Sequence, residues 1–158
     1  MTSSRVPGKV LMTADGKPML EILIERLQRA RYINAIIVAT TINAQDEPIA
    51  TLCERLGIPV FRGSEMNVLE RVCSAAQKMS AEVLVEITGD CPLIDPTLVD
   101  AAIATFLDRY PTNRYVSNSG PDISIPWGFD VQVFMAADLY AINADNPDEQ
   151  DREHVSYR

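Results

Sequence analysis

One histidine, His154, and three unevenly spaced cysteines, Cys53, Cys73 and Cys91, are the only imidazole and thiolate donors in this sequence. Zinc centres are built from Cys and His clustered at short spacings, so none is expected here. Cysteines without a pattern read as reduced, mostly buried thiols of a cytoplasmic protein. No apolar run approaches the roughly 20 residues that span a bilayer, and the N-terminus lacks the basic-then-apolar pattern of a leader. Positive charge is also short, with 14 Lys and Arg against 22 Asp and Glu and a net charge of −8. That balance argues against a nucleic-acid polymer, whose backbone needs a basic footprint. It permits a small nucleotide, because a few local cations and a metal can neutralise a triphosphate. A Walker A loop, an internal repeat and a low-complexity tract are all missing.

What is present is ordinary globular material: 158 residues, 47% hydrophobic and 23% charged, the size of one domain. The most informative stretch is Val83 to Pro96. Val83 to Thr88 has the β-branched composition of a buried strand. Gly89 breaks it and Asp90 follows at once. Asp95-Pro96 has the form of a helix start, a capping carboxylate followed by proline at the first helical position. Leu98, Val99, Ala102, Ile103, Phe106 and Leu107 continue that helix to about Tyr110. Asp90 thus sits at the carboxyl end of a parallel strand, the edge where open α/β sheets bind ligands. A carboxylate there suits Mg²⁺, which takes a few hard oxygens and shares phosphate oxygens with a substrate. The stretch alone leaves open whether Asp90 is such a ligand or only caps a turn.

The rest of the chain alternates helix and strand. Pro18 to about Tyr32 reads as an amphipathic helix with Leu20, Leu23, Ile24, Leu27 and Ala30 inward. Glu21, Glu25, Arg26 and Arg29 are expected outward, with Glu25 and Arg29 at the favourable i,i+4 spacing. Ala35 to Thr40 is a buried strand, and Asp46 or Glu47 starts a helix that Gly57 stops. Val60 to Arg62 is a short strand with Gly63-Ser64-Glu65 as its exit loop. Val68 to about Met79 is a helix with Leu69, Val72, Ala75 and Ala76 inward. Tyr115 to Ser117 reads as a strand, Asn118 to Trp127 as a loop, Phe129 to Phe134 as a half-exposed strand and Ala136 to Asn143 as a helix. A further helix is expected in the charged segment around Arg152 to Val155. Alternation with short connections predicts a three-layer α/β/α fold with a mostly parallel sheet.

The opening segment, Met1 to Lys9, is a loop whose amides and hydroxyls can wrap a phosphate that Arg5 and Lys9 would neutralise. Taken alone, the segment reads more readily as a solvated basic tail, because chain ends are usually poorly ordered. His154 reads as a helix-start residue rather than a base, since nothing nearby forms a dyad. Cys91 reads as core, with no basic neighbour to activate it. Trp127 and Phe129 fit either loop packing or a lid.

Several of these loops resemble one family, the CMP-sugar-acid cytidylyltransferases, and within it the spore-coat polysaccharide branch. The segments that carry the resemblance are Ser3-Ser4-Arg5-Val6-Pro7-Gly8-Lys9-Val10-Leu11, Gly16-Lys17-Pro18-Met19-Leu20 and Val38-Ala39-Thr40-Thr41. They continue with Val60 to Glu65, Thr88 to Pro96, Gly128-Phe129-Asp130-Val131 and Arg152-Glu153-His154-Val155. The set runs in the family's order along the chain. The resemblance implies a nucleotide-diphospho-sugar transferase architecture (Rossmann-like) and transfer of CMP from CTP to a hydroxyl of a sugar or sugar acid, with release of pyrophosphate. It implies that Arg5 and Lys9 hold the triphosphate, that Ser3 and Ser4 line the loop and that Thr40, Gly63, Ser64 and Arg71 surround base and ribose. By the same resemblance Asp90 binds Mg²⁺, Asn118 and Asp130 lie towards the sugar, and Arg5, Lys9 and Asp90 carry catalysis. A homodimer is a further implication, for relatives often dimerise.

The sequence also departs from that family. Members begin with an apolar strand ending in Gln-Ala-Arg before the Ser-x-Arg-x-Pro-x-Lys loop, and continue past Arg-Glu-His-Val to a second acidic metal ligand. Residues 1–158 are therefore expected to form one nucleotidyltransferase domain that is incomplete at both ends relative to the family. Ile42, Met66-Asn67 and Trp127 stand where charged residues are common. Two other readings remain: a glycosyltransferase of related fold, for which an Asp-x-Asp metal pair is missing, and a non-catalytic nucleotide-binding or assembly module.

Overall fold

The structure is a computed structural model and describes residues 6–120, 125–145 and 147–155. A 3₁₀ turn at Lys9–Leu11 leads into a hairpin of β1 (Thr13–Ala14) and β2 (Lys17–Pro18). The chain then runs α1 (Met19–Leu27), β3 (Val38–Thr41), α2 (Glu47–Leu56), β4 (Val60–Gly63), α3 (Val68–Lys78) and β5 (Val83–Glu86). It continues with α4 (Pro96–Arg109), β6 (Tyr115–Ser117), β7 (Gln132–Met135), α5 (Ala136–Ala144) and α6 (Glu149–Glu153). The chain forms two compact units, Met1–Ile36 with Val85–Phe134 and Ile37–Leu84 with Met135–Arg158. None of the described helices is long and apolar enough to cross a membrane.

In the first unit the hairpin turns on Asp15-Gly16, both left-handed at φ 51° and 76°, the geometry two-residue hairpins require. Sequence periodicity did not reveal this hairpin. α1 buries Leu20, Leu23, Ile24 and Leu27 as expected. Glu21, expected outward, is buried. The 3₁₀ turn and β2 pack on the first turn of α1, where an acid complements the helix N-terminus. Glu25 pairs with Lys17 at 2.5 Å rather than forming the expected pair with Arg29. α1 also stops short of Tyr32, because the Tyr32 amide is spent on the buried Asp100 carboxylate, 3.1 Å away. Arg31 Nε reaches the same carboxylate, and Arg26 Nε donates to the Ile94 carbonyl at 2.6 Å.

α4 starts as the sequence dictates, with the Asp95 side chain accepting from Thr97 N at 2.7 Å. It buries Val99, Ala102, Ile103 and Phe106. Leu107, expected inward, is 55% exposed, one residue's rotation beyond that apolar stripe. β6 and β7 pair antiparallel, Tyr115 opposite Phe134 and Val116 opposite Val133, and the strand order is β5-β7-β6. β5 is an edge of this sheet among the described residues. Its residues are therefore half-buried, not buried as composition suggested, and pairing ends at Glu86 rather than Thr88. β7 likewise begins at Gln132, three residues later than the alternating pattern.

In the second unit β3 and β4 run parallel, Val38 beside Val60 through Thr41 beside Gly63. β3 starts later than its apolar run because its partner enters only at Pro59, whose carbonyl takes Val38 N at 3.0 Å. α2 ends at Gly57 as predicted. α3 is capped by the Asn67 side chain on Glu70 N at 3.0 Å and buries Leu69, Cys73, Ala75 and Ala76. α5 and α6 pack on α3. α6 begins in a capping box between Asp148 and Asp151 and ends at His154. The charged segment is thus the helix itself, and His154 closes it instead of starting it.

Candidate functional site

The 3₁₀ turn that carries Lys9 is entered through Gly8 at φ 70°, a left-handed conformation that favours glycine. Leu11 N donates to Gly8 O at 2.9 Å and Met12 N to Lys9 O at 3.1 Å, which fixes the base of the Lys9 side chain. Asp90 lies past the end of β5 in a turn closed by Cys91 N on Thr88 O at 3.2 Å. Lys9 Nζ donates directly to the Asp90 carboxylate. Residues 81 apart in sequence thus form one charged pair in the first unit. Their side chains are 34% and 42% exposed, so a ligand can reach both.

The Lys9 ammonium holds the Asp90 carboxyl below its ordinary range, with help from the Thr88 hydroxyl and against partial burial. Thr88 Oγ1 also lies 3.0 Å from Cys91 Sγ. Burial raises the Cys91 thiol, and the negative charges of Asp90 and Asp130 raise it further. Cys91 is therefore a buried thiol, as its sequence context implied. Asp130 accepts from Gly128 N at 3.3 Å. Asn118 is fully engaged by backbone: its Nδ2 donates to Phe129 O at 2.8 Å and its Oδ1 accepts from Val131 N at 2.7 Å. Its amide acts as an extra rung between the two strand segments. Trp127 is 95% exposed.

Thr40, Gly63, Ser64 and Arg71 belong to the second unit. Thr40 Oγ1 and Thr41 Oγ1 donate to Asp46 Oδ2 at 2.8 and 2.6 Å, joined by Thr41 N at 3.1 Å. Burial opposes ionisation of Asp46, yet the carboxyl is held well below the usual carboxylate range, with the Thr40 and Thr41 hydrogen bonds among the contacts that lower it. The Thr40 hydroxyl is thereby committed to bracing the loop after β3. Arg62 braces it further, donating to Thr41 O and Asn43 O at 3.0 Å each and pairing with Glu47. Arg71 Nη1 donates to Ser64 O, while its Nε is buried without a partner. Burial lowers the pKa of this guanidinium, offset by the charges of Asp46 and Glu65. Gly63 is closely packed: a Cβ there would lie 3.0 Å from the Phe61 ring and 3.2 Å from Arg71 Cγ, so either neighbour would have to shift by a few tenths of an ångström. Ile42 and Met66, 68% and 81% exposed, follow β3 and β4. Ser3, Ser4 and Arg5 lie outside the described residues.

The structure thus joins Lys9 to Asp90, and Gly63 and Ser64 to Arg71. It also picks out Glu86, which sequence reasoning passed over. Oε2 of Glu86 is buried without a hydrogen-bond partner, and burial pushes its carboxyl up to about 7. A lone charge inside Val-Leu-Val-x-Ile was the available signal. Among the described residues no three His, Cys, Asp or Glu side chains converge to hold a metal. A single exposed carboxylate suits Mg²⁺ that keeps its waters and shares phosphate oxygens, and does not suit a metal caged by protein alone.

Comparison with known proteins locates this arrangement. The sequence pattern described as cytidylyltransferase matches residues 1–149. The spore coat polysaccharide biosynthesis protein SpsF of Bacillus subtilis is 31% identical over 99% of this chain and 65% of its own length. The 3-deoxy-manno-octulosonate cytidylyltransferase of Geobacter sulfurreducens is 36% identical over 68% of this chain and 42% of its own. Among solved structures, a cytidylyltransferase from Leptospira borgpetersenii superimposes with a TM-score of 0.92 at 27% identity, covering 99% of this chain and 66% of that one. The chain spans under two thirds of the length of each of these proteins.

Proposed function

We propose, from the premise that this chain belongs to the cytidylyltransferase family, that it serves the transfer of CMP from CTP to a hydroxyl of a sugar or sugar acid in polysaccharide synthesis. The observation that carries the reading is the contact of Lys9 with Asp90 at the carboxyl end of β5. A cation and an anion held together at that edge are the minimum apparatus for a metal-bound triphosphate. The acceptor oxygen attacks the α-phosphorus in line, the new O–P bond forms as the α–β anhydride bond breaks, and pyrophosphate leaves. The hydroxyl proton passes to solvent. Such transfers depend on positioning and charge neutralisation more than on reactive side chains.

In this reading Asp90 holds Mg²⁺, which when bound supplies charge neutralisation at the phosphate oxygens. Lys9 and Arg5 grip the phosphates that depart, with Ser3 and Ser4 lining their loop. Thr40, Gly63, Ser64 and Arg71 shape the base and ribose pocket, Thr40 through the Asp46 brace rather than by a free hydroxyl. Asp130 faces the sugar, and Asn118 sets the loop that presents it. Support for the substrate class comes from the relatives, one named for spore coat polysaccharide and one for 3-deoxy-manno-octulosonate.

The test is a screen of CTP, UTP, ATP and GTP with Mg²⁺ against a panel of sugar acids, read as pyrophosphate release and as a thermal shift. CTP with Mg²⁺ is expected to stabilise the chain most. Asp90→Asn is expected to lower turnover by roughly 10²–10³-fold, the loss typical of one strong electrostatic contact to a transition state, with a smaller loss of CTP binding. Pyrophosphate release at the unsubstituted rate from Asp90→Asn ends the assignment.

A further inference from the structure

We propose that Lys9 is a built-in counter-cation that occupies the Asp90 carboxylate until a metal–triphosphate complex replaces it, so that Asp90 takes a divalent cation poorly when nucleotide is absent. The inference rests on the functional reading above and adds an order of events to it.

Three observations lead there. Lys9 Nζ sits on the carboxylate itself, where a metal would have to bind. Both side chains are partly exposed, so the contact can open without unpacking the core. No group of three His, Cys, Asp or Glu side chains able to cage a metal is present among the described residues. A free dication therefore meets one carboxylate that is already neutralised and an ammonium that repels it. A triphosphate removes both obstacles at once. It brings oxygens that complete the coordination of the metal, and it gives the ammonium a better anionic partner. The flexible four-carbon stem of lysine lets Nζ move from carboxylate to phosphate while the backbone at Gly8–Leu11 stays fixed. Asp90 keeps the Thr88 hydroxyl throughout, so the carboxylate does not lose its orientation. Metal and nucleotide then enter as one species.

The same unit contains a control. Lys17 pairs with Glu25 at 2.5 Å, with side chains 50% and 36% exposed. That pair carries the same charges but lies on the hairpin and α1 rather than beyond the end of β5. Mn²⁺ binding to the nucleotide-free chain at low ionic strength, read from the spin-resonance signal of free Mn²⁺, separates a local effect from a general change of net charge. Lys9→Met is expected to tighten Mn²⁺ binding roughly three- to tenfold, the scale of a partly exposed ion pair at low salt. Lys17→Met is expected to leave it unchanged, and adding Asp90→Asn to Lys9→Met is expected to abolish the gain. The proposal is overturned if Lys9→Met binds Mn²⁺ no more tightly, if Lys17→Met gains as much, or if the gain survives Asp90→Asn. Stabilisation of the unsubstituted chain by magnesium and CTP is measured separately. Its absence sinks the functional reading, whereas the Mn²⁺ series decides the role of Lys9.

Discussion

Glu86 has one carboxylate oxygen buried from solvent and without a hydrogen-bond donor among the described residues, and burial pushes its carboxyl from 4.5 up to about 7. Below pH 4.5 the carboxyl is protonated in both folded and unfolded chains. Between 4.5 and about 7 the unfolded chain releases the proton and the folded chain keeps it, so stability falls as pH rises. At 1.36 kcal/mol per unit the loss reaches about 3 kcal/mol and is complete above the folded pKa. The lowered carboxyls, Asp46 and Asp90, act in the opposite sense and at lower pH, since their contribution is lost only as pH falls below their ordinary value of 3.8. Urea unfolding at pH 5 and pH 8 isolates Glu86. The chain is expected to be less stable at pH 8, and Glu86→Gln to flatten the difference. Equal pH dependence in the two proteins would exclude Glu86 as its source. Gly63→Ala tests a second residue: the Cβ meets the Phe61 ring and Arg71, and overpacking of this kind costs about 1–3 kcal/mol, readable as a lower urea midpoint.

Helix α4 shows what local sequence specifies and where it stops. Asp95-Pro96 declared its start, and the cap is made. Asp95→Ala is expected to cost about 1 kcal/mol. Phe106, 1% exposed, is expected to cost about 3–5 kcal/mol as Phe106→Ala, while Leu107→Ala at the exposed neighbouring position should stay within about 0.5 kcal/mol. Chemical denaturation of the three variants ranks them, and a cost at Leu107 equal to that at Phe106 would contradict the packing. The start of α4 and the stop of α2 were legible because caps and glycines act within a few residues, whereas the end of α1 carried no such signal and the capping box that starts α6 was passed over. Strand ends were not, because a strand lasts only as long as its partner: β5 stops at Glu86 although the β-branched run continues. The Asp15-Gly16 hairpin was legible in principle, but its arms are too short for an alternating pattern. At the site, position along the strand placed Asp90 at a ligand edge. Its partner Lys9, 81 residues away, was read as a phosphate cation from its own loop, but only resemblance to a family brought it to the same site as Asp90. The Thr40–Thr41–Asp46 brace was invisible because threonine and aspartate at such spacing usually mark a solvated turn.

At the scale of the molecule, the two units are interleaved, each closed by a segment that follows the other in sequence. The last 23 residues, Ala136 to Arg158, therefore matter to residues far ahead of them. α5 packs on α3, and Cys73 Sγ lies 3.7 Å from the Leu139 carbonyl. Cys73 is 3% exposed and its thiol is pushed up to about 11 by burial, so it is slow to react on two counts. Cys91 belongs to the first unit and is 4% exposed. A chain ending at Met135 keeps all of β7 yet loses the cover of α3. In that chain Cys73 is expected to react with a disulfide reagent in native buffer within the time that Cys91 remains protected. Peptide mapping of the labelled cysteines reads the two sites separately. Equal labelling of both would mean that the truncation unfolds the whole chain, and protection of Cys73 would mean that α5 is not what covers it.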